Sequence, residues 1–344
     1  MDSFSIELCE RGLVPDALAR RGMRQLIGTR LRTPEALDGE RRSEAMRVFL
    51  QRASKGPIAE HTDDANAQHY EVPPEFFRLV LGPRLKYSGC LFGSGVRDLP
   101  GAEDAMLALT AQRARVEDGQ KILDLGCGWG SLSLWLAEQL PKAQITAVSN
   151  SSQQKNFIDA RIRERDIKNV KVITADINEF NPGERFDRIL SVEMFEHMRN
   201  YQELLHRIRG WLNYDGFLFV HIFCHKVLAY PFLDEGASDW MARHFFTGGV
   251  MPSEHMLLNF IDDMLVEDHW WVSGRHYEAT SNAWLRNMDK QKGAVRELFA
   301  KAYGEDDADR WIQRWRMFFM AVAELFGYDK GNEWGVGHYL FSPR

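Results

Sequence analysis

The 344-residue chain has no excess of basic residues and no long basic run. Its 43 Lys and Arg are outnumbered by 49 Asp and Glu, which gives a formal net charge of −6 and a pI near 6.0. Proteins that hold nucleic acid or anionic membranes by charge need a basic surface. This balance therefore argues against nucleic acid and against a membrane as partners.

Long apolar runs and cysteines are also scarce. Charged residues interrupt every apolar stretch well before the ~20 residues that a membrane-spanning helix needs. The N-terminal segment lacks the basic-then-apolar order of a signal peptide. The four cysteines have neither metal-ligand nor disulfide-framework spacing: Cys9, Cys90, Cys127 and Cys224. We therefore expect a reduced, cytoplasmic protein.

The chain contains no internal repeat and no low-complexity tract, and its 44% apolar content is that of a folded protein. Leucines recurring among charges predict an N-terminal helical extension over residues 1–64. Charge and a Pro-Pro pair predict a loop between about residues 55 and 74. Residues 65–344 then form the main domain. The sequence does not determine the oligomeric state, and a homodimer is one option.

From Val116 onward, short apolar runs alternate with helical patterns. The predicted strands are 121–125, 144–148, 170–174, 188–192 and 217–223, and the predicted helices are 131–140, 153–165 and 201–212. Such alternation is typical of βαβ units around a parallel sheet. The predicted fold is an α/β, Rossmann-like doubly wound sheet with a mostly helical cap. The cap comprises an insertion at about 226–262 and a helical region at about 281–326, between late strands at 264–272 and 336–342.

The strongest local motif is KILDLGCGWGSL, in which a strand ending at Asp124 leads through Gly126, Gly128 and Gly130 into a helix. Glycines at such a turn let the backbone approach a ligand closely. The third glycine of the dinucleotide motif is out of place, and no acidic residue ends the second strand. The carboxylate of Asp124 suits a ligand's ammonium group better than a phosphate.

A series of motifs in the same order resembles the class I S-adenosylmethionine (SAM) methyltransferases. Within them, residues 65–344 are similar to the cyclopropane-fatty-acid-synthase superfamily, and most similar to its coclaurine N-methyltransferase branch. The segments that carry the resemblance are HYEVPPEFF, LKYSGCLF, LDLGCGWGSL, SNSSQQK, TADI, EMFEHM, FVHIFCHK, FFTGGVMPS and AELFGYDKGNEW. The resemblance implies the class I methyltransferase fold.

The resemblance also implies SAM as cofactor and S-adenosylhomocysteine as product. Its cofactor positions are Tyr87, Ser88, Gly126 and Gly128 at the methionine part, Asn150 and Gln154 at the ribose, and Asp176 and the Ile177 amide at the adenine. These positions follow successive predicted strands, at the sheet edge where open α/β sheets bind ligands. Taken singly, polar residues such as Asn150 and Asp176 fit ordinary turn chemistry equally well.

Methyl transfer to an amine requires a group that removes a proton, since an aliphatic ammonium has a pKa of about 10. The resemblance points to Glu196 and His197 in EMFEHM as the catalytic pair. Glu193, three residues earlier, could share that side of the turn or simply cap a helix. Glu71 with its neighbour Tyr70 is implied at the amine-binding site.

His221 and Tyr277 match residues that hold a bicarbonate ion in cyclopropane synthases, and Glu196 matches the glutamate of those enzymes. A lone strand histidine is nevertheless more often a core residue. The cysteine of that ion site falls on Gly89, with Cys90 one place along. The acidic pair Asp262-Asp263 is more typical of a solvated helix than of a metal site. We expect no metal.

Three functions remain open. The first is SAM-dependent N-methylation of a small, largely apolar or aromatic amine, with tetrahydroisoquinoline-like amines included. The second is cyclopropane-synthase-type modification of unsaturated acyl chains, which the charge balance and Gly89 disfavour. The third is a SAM-binding protein without activity, which the intact glycine loop and the Glu196-His197 pair disfavour.

Overall fold

A computed structural model describes residues 3–60, 72–236 and 239–344. The candidate residues Tyr70 and Glu71 lie outside the described residues. Among the helices that are described, none is both long and apolar enough to cross a membrane.

A seven-stranded sheet forms the centre of the molecule, in the order β3-β2-β1-β4-β5-β9-β8. The first five strands in this order are parallel, whereas β9 is antiparallel to both β5 and β8. The strands are β1 Lys121–Leu125, β2 Gln144–Ser149, β3 Val170–Thr174, β4 Phe186–Val192, β5 Leu212–His225, β8 Met264–Ser273 and β9 Trp334–Pro343. The predicted doubly wound α/β fold is thereby confirmed.

Helices cover both faces of the sheet because consecutive strand residues point to opposite sides. Ile122 packs on one face with residues of the glycine-loop helix, and Leu123 packs on the other with the helix that follows β4. The helices are α1 Ser3–Glu10, α2 Asp16–Arg30, α3 Pro34–Leu37, α4 Gly39–Arg52, α5 Pro74–Val80, α6 Leu99–Arg113, α7 Ser131–Gln139, α8 Ser152–Glu164, α9 Tyr201–Trp211, α10 Trp240–Phe245, α11 Gly274–Lys290, α12 Lys292–Tyr303 and α13 Glu305–Phe326. A short ribbon of β6 Tyr230–Pro231 and β7 Val250–Met251 lies beside α10.

Most predicted elements match these bounds, and two differ. The strand predicted at 217–223 extends over Leu212–His225, because Asp215-Gly216 continues the strand rather than forming a turn before it. The helical region predicted at 281–326 begins earlier and consists of α11, α12 and α13. Helices α5 and α6, before Val116, were not predicted.

The N-terminal helices pack against α13. Glu10, at the end of α1, accepts hydrogen bonds from Trp240 Nε1 at 2.8 Å and from Arg314 Nε at 3.0 Å. Arg20 of α2 contacts Glu324 at 2.8 Å. These contacts attach the N-terminal helices to the two helices, α10 and α13, that stand over the carboxyl edge of the sheet.

Candidate active site

The loop after β1 has a backbone that only glycine adopts readily. Gly126, Gly128 and Gly130 have φ values of +88°, +52° and +80°, in the left-handed region. A Cβ at Gly126 would lie 2.7 Å from Met194, whereas one at Gly128 would meet nothing within 4 Å. The loop therefore closes against the protein at Gly126 and presents open backbone at Gly128.

Two adjoining cavities lie at this edge of the sheet. The first is about 840 Å³, including its open mouth, and the predicted adenosine-side residues Asn150, Asp176 and Ile177 line it. The second is about 1030 Å³, measured in the same way. Residues lining both cavities are Gly126, Gly128, Gln154, Glu193 and His197.

The second cavity brings together the predicted methionine-side residues. Tyr87, Ser88 and Asp124 lie on its wall. Asp124 is 1% exposed, it accepts a 2.5 Å hydrogen bond from Ser133 Oγ, and burial raises its pKa to about 6. A ligand ammonium beside this carboxyl would favour its ionised form.

Two buried polar atoms at the cavities fit a polar cofactor. Gln154 is 2% exposed, and its Oε1 accepts from Ser149 Oγ at 2.6 Å. Within the described ranges, Gln154 Nε2 and Ser131 Oγ have no hydrogen-bond partner. Buried donors of this kind are normally satisfied in native proteins. The lining is therefore compatible with SAM, whose ribose hydroxyls and carboxylate are acceptors.

Glu193 lies where the cavities meet and is held from three sides. Its carboxylate accepts hydrogen bonds from Gly89 N at 2.8 Å and Tyr277 Oη at 2.7 Å, and it lies 3.2 Å from His221 Nε2. Burial raises the pKa of Glu193, while the Lys86 ammonium and these donors oppose that rise. Three positions that match the bicarbonate site, Gly89, His221 and Tyr277, thus surround a carboxylate of the chain itself.

Glu196 occupies a different position from its partner in the predicted catalytic pair. It is 0% exposed, lines neither cavity, and accepts a hydrogen bond from Phe223 N at 2.7 Å. Burial, with the nearby Glu193 carboxylate, raises the pKa of Glu196 well above its ordinary value. The glutamate that lines both cavities together with His197 is Glu193, not Glu196.

His197 lies in the short 3-10 turn Phe195–His197, just after β4. Its ring stacks on that of Phe246, with centroids 5.0 Å apart and planes inclined by 25°. An imidazole in this position can exchange a proton with a group bound at the junction of the cavities.

Aromatic side chains form a large part of the lining of the second cavity. They are Tyr87, Trp129, Phe223, Phe246, Tyr277, Trp284 and Phe318. Other aromatic residues of the cap and late helices, namely Trp240, Phe245, Trp315 and Phe319, pack in the core.

Lys86 is a site residue that sequence reasoning missed. It is 3% exposed, lines the second cavity and donates a hydrogen bond to Ser88 Oγ. Burial lowers its pKa. A lysine directly before Tyr87 and Ser88 in LKYSGCLF was an available signal, because those neighbours were already assigned to the cofactor.

Histidine and acidic side chains of the types that bind metals have protein partners here. His225 Nδ1 accepts from the backbone amides of Val227 and Leu228. Asp263 pairs with His206 at 3.0 Å, and Asp262 accepts from Gln202. Across the described ranges, no group of three His, Cys, Asp or Glu side chains is arranged to hold a metal ion.

The sequence matches the model of one protein family over most of its length. The family is described as mycolic acid cyclopropane synthetase, and the match covers residues 59–332. The chain is 38% identical to (S)-coclaurine N-methyltransferase of Thalictrum flavum subsp. glaucum over 339 residues, 97% of this chain and 94% of that one. It is 34% identical to pavine N-methyltransferase of the same plant, over 98% and 96% of the two chains.

Solved structures agree with these relatives. A crystal structure of coclaurine N-methyltransferase bound to N-methylheliamine and S-adenosylhomocysteine superposes with a TM-score of 0.93, at 36% identity over 98% of each chain. A cyclopropane synthase from Mycobacterium tuberculosis shares the fold, with a TM-score of 0.69 at 23% identity over 83% of this chain and 100% of that one. The chain therefore belongs to the mycolic acid cyclopropane synthetase family, and within it to the SAM-dependent N-methyltransferases.

Proposed function

We propose that this enzyme methylates the nitrogen of a small, largely apolar or aromatic amine, with His197 and Glu193 at the reacting centre. The observation that carries the proposal is the position of these two residues on the wall of both cavities. One cavity has polar strand-end residues, and the other has an aromatic wall. The N-methyltransferase relatives and the N-methylheliamine complex of one of them support an amine of the tetrahydroisoquinoline type.

In this proposal the cofactor binds along the polar residues of the two cavities. Asn150 and Gln154 hold the ribose, while Asp176 and the Ile177 amide hold the adenine. Asp124 pairs with the ammonium group of the methionine part, near Tyr87, Ser88, Gly126 and Gly128. SAM supplies a methyl group already activated on a sulfonium, so the protein has to align the amine and manage its proton.

His197 removes that proton. The carboxylate of Glu193 already accepts hydrogen bonds from Gly89 and Tyr277 and faces His221, and such donors favour its ionised form over a protonated one. In this proposal Glu193 therefore serves as a fixed anion and not as the base, although burial raises its pKa. It attracts the protonated amine, assisted by the faces of Phe246 and Tyr277. His197 then accepts a proton from the ammonium, which frees the nitrogen lone pair for the attack.

In this assignment Glu196 stabilises the turn Phe195–His197 by accepting a hydrogen bond from Phe223 N. The roles predicted for Tyr70 and Glu71 at the amine stay predictions. We further propose a cytoplasmic setting, which the four free and buried cysteines support.

Variants of the two central residues test these roles. His197→Ala should retain SAM binding, measured by calorimetry, and lower kcat for an accepted amine about 10²-fold or more. Glu193→Gln should raise KM for the amine as well as lower kcat, since the fixed anion is lost. His206→Ala, at a 65% exposed histidine on α9, is the matched control. Unchanged turnover in His197→Ala, or lost SAM binding in both variants, would contradict the assignment.

A further inference from the structure

A line of buried side chains runs from Glu193 across the sheet to Arg113, away from both cavities. His221 Nε2 lies 3.2 Å from Glu193 Oε1, and His221 Nδ1 lies 2.9 Å from His338 Nε2. His338 Nδ1 lies 2.7 Å from Arg113 Nη1. The two histidines are each 0% exposed.

The sheet itself places these groups in line. His221 of β5 and His338 of β9 are register partners, and His338 is in turn paired with Trp270 of β8. Directly paired residues share a face of an antiparallel sheet. Arg113, the last residue of α6, stacks over the Trp270 ring with its guanidinium carbon 4.8 Å from the centroid. The ring of Phe219 packs edge-on against His338 at 5.0 Å.

The direction of every hydrogen bond in this line follows from its last member. A guanidinium has N–H donors and no acceptor, so Arg113 donates to His338 Nδ1. A neutral imidazole that accepts at Nδ1 carries its proton on Nε2. His338 therefore donates to His221 Nδ1, and His221 in turn donates from Nε2 to the Glu193 carboxylate.

A protonated histidine does not fit this line. If His338 were protonated, its Nδ1–H would point at the N–H donors of Arg113. If His221 were protonated, its Nδ1–H would point at the Nε2–H of His338. Burial also lowers the pKa of both rings well below the ordinary value, and the Lys86 and Arg113 cations act in the same direction. The line cannot carry the reaction's proton outward either, since Arg113 has no lone pair to accept it.

We propose that Arg113 and His338 are positioning residues, which fix the Nε2–H tautomer of His221 and thereby hold Glu193 as an ionised acceptor facing the amine. This inference rests on the proposed role of Glu193. The proton leaves through His197, because the other path from Glu193 ends at Arg113. The tautomer itself can be measured without any amine.

Long-range ¹H–¹⁵N spectra of the ¹⁵N-histidine-labelled full-length enzyme provide that measurement. Signals are assigned by their loss in His221→Gln and His338→Gln. Both rings should show the neutral Nε2–H pattern near neutral pH. An Nδ1–H pattern or a charged ring at His221 would overturn the proposal.

Two pairs of variants test the dependence on Arg113 and His338. Arg113→Met should give mixed tautomers at His338 and His221 and about a tenfold lower kcat, with SAM affinity unchanged. Arg113→Lys retains a cationic donor, so it should restore much of the single tautomer and much of kcat. His338→Gln can still accept from Arg113 and donate to His221, so it should retain far more activity than His338→Leu. Equal activity in those two His338 variants would contradict the proposal, and so would wild-type tautomers in Arg113→Met.

Arg188→Met is the matched control, because it removes another buried guanidinium on the sheet, stacked 4.9 Å over Phe217 and remote from Glu193. It should leave the tautomers and kcat unchanged. If no amine is methylated by the wild-type enzyme while the tautomers are as predicted, the proposed function fails and the ordering of the line by Arg113 stands.

Discussion

At the scale of single residues, the two glutamates of EMFEHM have opposite surroundings although they are three positions apart. Glu193 has a left-handed backbone, with φ of +49°, which is uncommon for a residue with a side chain. Its carboxylate faces the cavities and a set of donors, whereas that of Glu196 is enclosed behind them. The sequence pointed to Glu196, with His197, as the catalytic pair and left Glu193 between the amine site and a helix cap. It could not show which glutamate faces the cavities, because that depends on the backbone turn at Glu193.

The buried Glu196 should make the enzyme less stable as pH rises. Its folded pKa is raised well above the ordinary 4.5, so above about pH 4.5 the folded state binds a proton that the unfolded chain releases. Glu196→Gln removes this cost, which is at most about 1.4 kcal/mol per pH unit. The gain in the free energy of unfolding over wild type, from urea titrations, should therefore be larger at pH 8 than at pH 5. A gain independent of pH would show that Glu196 is ionised in the fold.

Dissolved bicarbonate should have no effect on turnover. The groups that match the ion site of cyclopropane synthases, Gly89, His221 and Tyr277, already surround the Glu193 carboxylate. Initial rates in degassed, bicarbonate-free buffer should equal those in buffer with added bicarbonate. The variant Glu193→Ala is the comparison. It removes the carboxylate from Gly89, His221 and Tyr277, so added bicarbonate could bind there and change the rate. Stimulation of the wild-type enzyme would mean that Glu193 does not fill the site in solution.

At the scale of elements, alternating patterns identified the parallel strands and the helices between them. Helix α6 was missed because its buried side includes the polar Glu103 and Thr110, and its first turn contains Pro100 and Gly101. Glu103 nevertheless has a clear structural role, since it accepts from the backbone amides of Arg84 and Lys86 and holds the segment that leads to Tyr87. A carboxylate buried for this purpose produces no apolar periodicity. The positions of Lys86 and Arg113 depend on long-range packing that local patterns do not report.

The junction of helices α1, α10 and α13 depends on Glu10. This residue is 7% exposed and accepts from Trp240 and Arg314. Glu10→Ala would leave both donors without this partner, so the free energy of unfolding should fall by about 2 kcal/mol. Glu7→Ala, on the same helix and at a 50% exposed carboxylate, should change it by less than about 0.5 kcal/mol. Equal effects in the two urea titrations would contradict this role of Glu10.

At the scale of the whole molecule, the N-terminal helices contact α13, a helix of the cap that lines the second cavity. We propose that helices α1 and α2 support α13, whose Phe318 and Val322 line that cavity. Loosening this support should affect the amine more than the cofactor, because Asn150, Asp176 and Ile177 on the other side are attached directly to the sheet. A higher KM for the amine with unchanged SAM affinity in Glu10→Ala would show this coupling.

The acceptor is the central claim, and isotope-labelled SAM tests it most directly. The enzyme is given SAM with a trideuterated methyl group, a panel of amines and vesicles of unsaturated phospholipid, and the products are weighed by mass spectrometry. N-methylation keeps all the deuterium of the methyl group, whereas closing a cyclopropane ring loses one deuteron. The account predicts an amine product that retains the whole trideuteromethyl group. A lipid product that has lost one deuteron would contradict it.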